Sequence, residues 1–162
     1  MEGIMRKMIF SFLIAVSIIS CSSSSGSGSS SSSNSNVADF KNKDWKLVEV
    51  WIDSRNINFN RKDLANEKAG DIFTLKFDAE NISGVGAPNR YSAPYSLSDK
   101  QSISVKPIRS TQMASLWQPE KLREYDFFIY MQNISEWAIN SGRLELTSKT
   151  ESGRAVKLVF SL

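Results

Sequence analysis

The chain predicts a small, mostly β domain of the α+β class, an antiparallel barrel or sandwich interrupted by one helix. Three observations carry that expectation. Short apolar/polar alternations recur from Trp45 to Phe160, and period-two alternation marks half-buried strands. Clusters of turn-forming residues separate them at strand-like spacing. A single stretch, Pro119 to Asn133, contains no turn formers and carries apolar residues at helical spacing.

Trp45 to Trp51 opens the series, with Trp45, Leu47 and Trp51 expected on one face. The following region, Asp53 to Gly70, is polar and rich in Asn and reads as a long loop with a short helix. Phe73 to Phe77 is a clean strand, with Phe73, Leu75 and Phe77 inward and Thr74 and Lys76 outward. Ser102–Val105, Trp137–Ile139, Arg143–Leu146 and Val156–Phe160 repeat the pattern. Turn formers at Asp78–Asn81, Ser98–Lys100, Asn140–Gly142 and Glu151–Gly153 punctuate it. In the helical stretch, Pro119 and Glu120 suit a first turn, and Leu122, Tyr125, Phe128 and Ile129 share the apolar face. Glu120 and Glu124 have the spacing of a carboxylate pair, but Lys121 and Arg123 lie among them, and the group reads as a solvated face.

The stretch from Gly84 to Leu97 packs two Gly, two Pro, two Tyr, Asn89 and Arg90 into a short span. Gly84 and Gly86 allow close backbone approach or positive φ at a strand turn. Asn89 is placed to bond backbone groups left free in that turn. Tyr91 and Tyr95 share a face of an extended segment, and Pro94 confines it to an edge or bulge. Arg90 is the residue best placed to point outward as an anion contact.

The N-terminus sets the expected location. Arg6-Lys7 precedes an apolar run from Met8 to Ile19, too short for a membrane-spanning helix and right for a secretory leader. The run ends Ile18-Ile19-Ser20-Cys21, and Cys21 is the sole cysteine. This resembles a bacterial lipobox, which implies cleavage after residue 20, lipid on Cys21, and a protein tethered to the membrane rather than spanning it. Residues 21–36 are the lipidated Cys and a tether. Ser22 to Asn36 holds only Ser, Gly and Asn, has nothing to bury and is expected to stay unstructured. It would span roughly 20 Å as a coil and about 50 Å stretched. Residues 37–162 then form one domain.

Composition narrows the chemistry. The chain has no His, and its one Cys is the expected lipid site, so Ser-His-Asp and Cys-His sites and His- or Cys-based zinc sites are impossible. Carboxylates and Lys alone remain for acid–base work. The formal charge is +3, and removing the leader takes away Arg6, Lys7 and Glu2. So small an excess, without aromatic-interleaved basic runs, gives no case for nucleic acid. The N-x-S matches at Asn81 and Asn133 are fortuitous in a bacterial lipoprotein. No cofactor or metal is implied, and the chain is not expected to be an enzyme.

A collinear set of residues carries a family resemblance. Trp45-Lys46-Leu47 and Phe73–Phe77 precede Ser83-Gly84, then Asn89-Arg90-Tyr91-Ser92, Tyr95 and Thr111-Gln112-Met113-Ala114. Glu124 and Phe128 on an acidic-aromatic helix and a closing Leu144-Glu145-Leu146 complete the series. The set resembles the META-domain, HslJ-like family of bacterial lipoproteins. Cysteines that the family often carries are replaced by Pro88 and Ser115, and a usual Arg by Gln112. The resemblance implies that the two cysteine positions lie close together. It also implies a small β-barrel interrupted by one helix, structural roles for Gly84, Gly86, Asn89, Arg90, Tyr91, Tyr95, Thr111 and Met113, and loose links to heat stress, drug tolerance and motility.

Two functions follow as expectations. The leading one is a non-catalytic, lipid-anchored protein of the cell envelope, at the outer membrane, that binds or stabilises an envelope partner protein. The other is a carrier of a small apolar ligand or lipid in the barrel interior. A filled interior with exposed aromatics favours the first and a hollow one the second. Trp51 and Trp117 are the aromatics to examine.

Overall fold

The computed structural model describes residues 40–67, 69–98, 101–114 and 119–162. Cys21 and the expected tether lie outside them, as does Trp117. The elements in chain order are β1 (Trp45–Ile52), β2 (Arg55–Asn58), α1 (Arg61–Asn66), β3 (Thr74–Phe77), β4 (Asn81–Val85), β5 (Arg90–Ser98), β6 (Ser102–Val105), β7 (Arg109–Ser110), α2 (Glu124–Gln132), β8 (Glu136–Asn140), β9 (Arg143–Lys149) and β10 (Ala155–Ser161).

The strands pair antiparallel in the order β10-β9-β8-β6-β5-β4-β3-β1, and β10 pairs again with β1, closing an eight-stranded barrel. Of the barrel and sandwich that alternation allowed, the barrel is the fold. Closure removes free sheet edges from the ring. β2 pairs with the second half of β1, and β7 with Tyr91 and Ser92 of β5. The ring is strongest at β1–β10 and β9–β10, each with six paired positions. It is thinnest at β6–β8, where Ser102 faces Glu136. Among the described residues, the ring strands run from Trp45 to Ser161 and the core from Phe40 to Phe160.

The interior is filled by side chains. Phe40 lies 4.7 Å from Phe77 and 4.5 Å from Trp137, ring centre to ring centre. The Trp45 indole N–H donates to the Phe40 carbonyl at 2.9 Å. Leu47, Leu75, Ile82, Leu144, Leu146, Leu158 and Phe160 are buried alongside. Phe73, Tyr91 and Phe127 extend this packing towards α2.

Phe73, Leu75 and Phe77 point inward as the alternation predicts. Elsewhere the structure corrects the reading. In β1 the register against β10 shifts between Leu47 and Glu49. The bulge adds one residue and reverses the parity of the rest of the strand. Val50 is therefore buried and Trp51 is turned to the outer face, away from Trp45 and Leu47. The Asp53 to Gly70 region contains β2 as well as the short helix. Asn60 caps α1 by accepting from Lys62 N–H at 3.0 Å.

α2 begins at Glu124 rather than Pro119. Arg123 is extended (φ −75°, ψ 148°), and Leu122 is buried before the helix starts. The buried face carries Glu124, Phe127, Tyr130 and Met131, whereas Tyr125 is 58% exposed and Phe128 and Ile129 are half-buried. The expected face was thus rotated, because it was phased on Leu122, which is not helical. Pro94 is not at an edge. It sits opposite Asn81, between the part of β5 that pairs with β7 and the part that pairs with β6.

Candidate functional site

Most of the candidate residues converge at one end of the barrel, around a buried carboxylate. β4 leads through Gly86–Asn89 into β5, and Gly86 N–H donates to the Asn89 carbonyl at 2.6 Å, closing the turn. Inside that turn lies Glu124, the first residue of α2, with 8% of its surface exposed. Its carboxylate accepts from Ala87 N–H, from Asn89 N–H at 2.6 Å and from the Asn89 amide at 2.6 Å. The Ala87–Pro88 peptide is cis. This corrects the solvated-face reading of Glu124, while Glu120 is exposed and takes no part. Desolvating a carboxylate is costly unless its lone pairs are matched, and backbone N–H groups match them here.

The glycines act through close approach. A Cβ on Gly84 would fall onto the Thr74 carbonyl, and one on Gly86 would lie 2.6 Å from Glu124 Oε1 and 2.8 Å from the Phe128 ring. Neither has positive φ, so only the close-approach half of the expectation applies. Tyr91 is buried and donates its hydroxyl to the Thr74 carbonyl at 2.8 Å. Burial pushes its phenol far above the ordinary range, so it stays protonated. Tyr95, half-buried, packs edge-on to Phe77 at 5.2 Å and donates to the Asp78 carbonyl at 2.9 Å.

Asn89 reaches further than its own turn. Its side-chain oxygen accepts from Thr111 Oγ1 at 2.9 Å and from Met113 N–H at 2.6 Å, and its amide also donates to the Met113 carbonyl at 3.3 Å. One asparagine therefore joins β5, the segment after β7 and α2. Thr111 further accepts from Arg90 N–H at 3.2 Å. Met113 is held by its backbone while its side chain is 59% exposed. The Arg90 side chain is exposed. Pro88 lies in the turn, and Ser115, the position implied to lie close to it, falls outside the described residues.

Sequence reasoning placed Glu124 in the family series but read it as solvated and missed its burial. Its signal was the spacing Glu124, Phe127, Met131, which puts the acid on the buried stripe. Several N–H donors of the Gly86–Asn89 turn converge on this carboxylate. Among the described residues no group of acidic side chains is arranged to hold a metal ion. No described helix is long and apolar enough to cross a membrane.

Elsewhere, a groove of about 590 Å³ runs between Phe59, Asn60 and Leu64 on one side and Pro119–Lys121 on the other. On the outer wall, Trp51 donates to Glu49 at 2.9 Å, and Lys157 lies 5.8 Å from its ring centre.

A closed antiparallel barrel with its helix latched by a buried acid defines a small β-barrel domain. The META-domain family profile matches residues 38–160, and the chain belongs to that family. Its fold is similar to the NMR structure of a protein from Burkholderia xenovorans, at 18% identity and TM-score 0.52, covering 75% of this chain and 83% of that one. It is likewise similar to the crystal structure of a DUF4847 family protein from Bacteroides vulgatus, at 16% identity and TM-score 0.50, covering 75% and 93%. A search of curated proteins gives no match.

Proposed function

We propose that this META-domain protein is a non-catalytic envelope protein, anchored by lipid on Cys21 at the outer membrane, that binds or stabilises a partner protein. The observation that carries the reading is the filled barrel. Phe40 contacts Phe77 and Trp137 at ring separations under 5 Å, and close-packed interiors leave little room for a guest. A carrier would need that space, so the packing favours partner binding over the carriage of an apolar ligand. The buried Glu124 supports the non-catalytic part, because its lone pairs serve the backbone of the Gly86–Asn89 turn.

The tether gives the test. Cutting residues 22–36 to three residues shortens the full reach from about 50 Å to about 10 Å. Its core is untouched, so the protein should remain folded, lipidated and abundant. Crosslinking in intact cells should then lose the partner that the full-length protein captures, as effective concentration falls with reach. Undiminished capture of the same protein would mean that reach is irrelevant and would remove the case for docking away from the bilayer.

A further inference from the structure

The wall of the barrel built from β4, β5 and β7 differs in charge from the rest of the molecule. Between Asn81 and Pro119 the sequence contains Arg90, Lys100, Lys106 and Arg109 but only one acid, Asp99. The fold gathers three of these cations. Ser92 pairs with Arg109, and Arg90 exchanges bonds with Thr111. Arg90 and Arg109 are therefore diagonal neighbours on the outer face, with backbones about 7–8 Å apart. Lys106 N–H donates to the Pro94 carbonyl, which places Lys106 beside the same strand. All three are exposed, and among the described residues their side chains make no ion pair or hydrogen bond. Outward residues of these strands beside them include Ser83, Ser92, Ser104 and Thr111, and the nearest exposed acid along β4 is Glu80, whose carbonyl accepts from Tyr95 N–H at 3.0 Å.

At the end of this wall the Asn89–Glu124 network presents two exposed apolar side chains. Met113 is bonded to Asn89 through its backbone, and Tyr125 directly follows Glu124. They are 59% and 58% exposed. Unneutralised cations bordered by a Met and a Tyr match the chemistry of an anionic membrane surface. Phosphates take the cations, and amphipathic aromatic side chains settle at headgroup depth.

We propose that the β4–β5–β7 wall is a docking face for a bilayer containing anionic phospholipid. The proposal rests on the lipid-anchor reading for why a bilayer is at hand. The chain between Cys21 and the described domain reaches about 60 Å at most, so an anchored domain can lie down on the membrane. Lipid on Cys21 would hold the chain at the bilayer, and a basic patch would then set which face of the domain meets it. Lying on the bilayer and reaching a partner beyond it are then two alternative positions of one tethered domain.

The test uses residues 37–162, which contain every described ring strand and core residue, and co-sedimentation with vesicles of phosphatidylglycerol and phosphatidylcholine or of phosphatidylcholine alone. Binding should require phosphatidylglycerol and weaken as salt is added. Arg90→Ser and Arg109→Ser should each reduce partitioning about five-fold, and the double variant about 25-fold, with unchanged thermal midpoints. Arg55→Ser, which removes an equal charge from β2, should change it by less than about two-fold, being remote and screened. Equal losses from Arg55→Ser and Arg90→Ser would mean that net charge alone drives binding, and the wall would not be a site. Absence of binding to phosphatidylglycerol at low salt would also overturn the proposal. If the double variant kept vesicle binding but lost its crosslinked protein in cells, the wall would be a protein-binding face instead. Lipid on Cys21 is measured separately, from the mass of the mature chain. Its absence would remove the anchor reading while leaving the vesicle result to stand.

Discussion

Two hairpins of this barrel turn by different means. β8 and β9 are joined by Ser141 and Gly142, both with positive φ (50° and 75°), between the paired Asn140 and Arg143. A two-residue loop with both central residues left-handed matches the twist of the strands it joins. A Cβ on Gly142 would meet nothing within 4 Å. β4 and β5 are joined by Gly86–Asn89, whose groups are held by Glu124, far along the chain. The first turn is decided by its own two residues. The second is decided by where a helix begins.

The comparison can be broken most severely at Glu124. Glu124→Ala leaves the Ala87 and Asn89 N–H groups and the Asn89 amide without their buried acceptor. At about 1–3 kcal/mol for each unsatisfied donor, a loss of at least about 3 kcal/mol is expected in denaturant unfolding. A loss under about 1 kcal/mol would mean that the turn holds itself. Gly84→Ala comes next, since its Cβ would run into the Thr74 backbone, which cannot swing aside as a flexible side chain can. About 3 kcal/mol is expected, at the upper end of overpacking costs.

Gly142→Ala should cost less, about 1–2 kcal/mol, from the left-handed conformation alone. If it matched Glu124→Ala, local and distant control of the two turns could not be told apart. The smallest effect is electrostatic. Arg143, at the exit of the β8–β9 turn, pairs with Glu49 at 2.8 Å. Glu49 is held below its ordinary value of 4.5, first by the Trp51 indole N–H, then by Asn56 and Arg143, against the opposing effect of burial. A lowered folded-state pKa adds stability that is fully present above the unfolded value and is lost as pH falls through the folded one. The domain should therefore weaken slightly below about pH 4.5, and Glu49→Gln should flatten that part of the stability–pH curve. An unchanged slope in Glu49→Gln would assign the acid sensitivity elsewhere.

What the sequence made legible follows the same division. Phe73, Leu75 and Phe77 could be placed inward because strand alternation is a local property, and the breaks at Asp78–Asn81 and Asn140–Gly142 were marked by their own residues. Trp51 could not be placed, because a bulge depends on how β1 meets β10, and that partner lies at the far end of the chain. The family resemblance brought in Gly84, Gly86, Asn89, Thr111 and Glu124, but not the fact that the first four gather around the last. A glutamate on a helix among Lys and Arg reads as solvated until the turn that buries it is known. The basic wall was equally hidden. Arg90 and Arg109 are far apart in sequence and become neighbours only through the pairing of β5 with β7.

The central claim is that Asn89 and Glu124 act as one unit, latching α2 to the β4–β5 turn. A double-mutant cycle in denaturant unfolding tests it directly, using Asn89→Ala, Glu124→Gln and the double variant. Side chains in one hydrogen-bond network couple by about 0.5–3 kcal/mol, whereas independent sites add to within about 0.3–0.5 kcal/mol. The latch predicts a coupling above about 1 kcal/mol, with the double variant little worse than the poorer single one. Additive losses would contradict it.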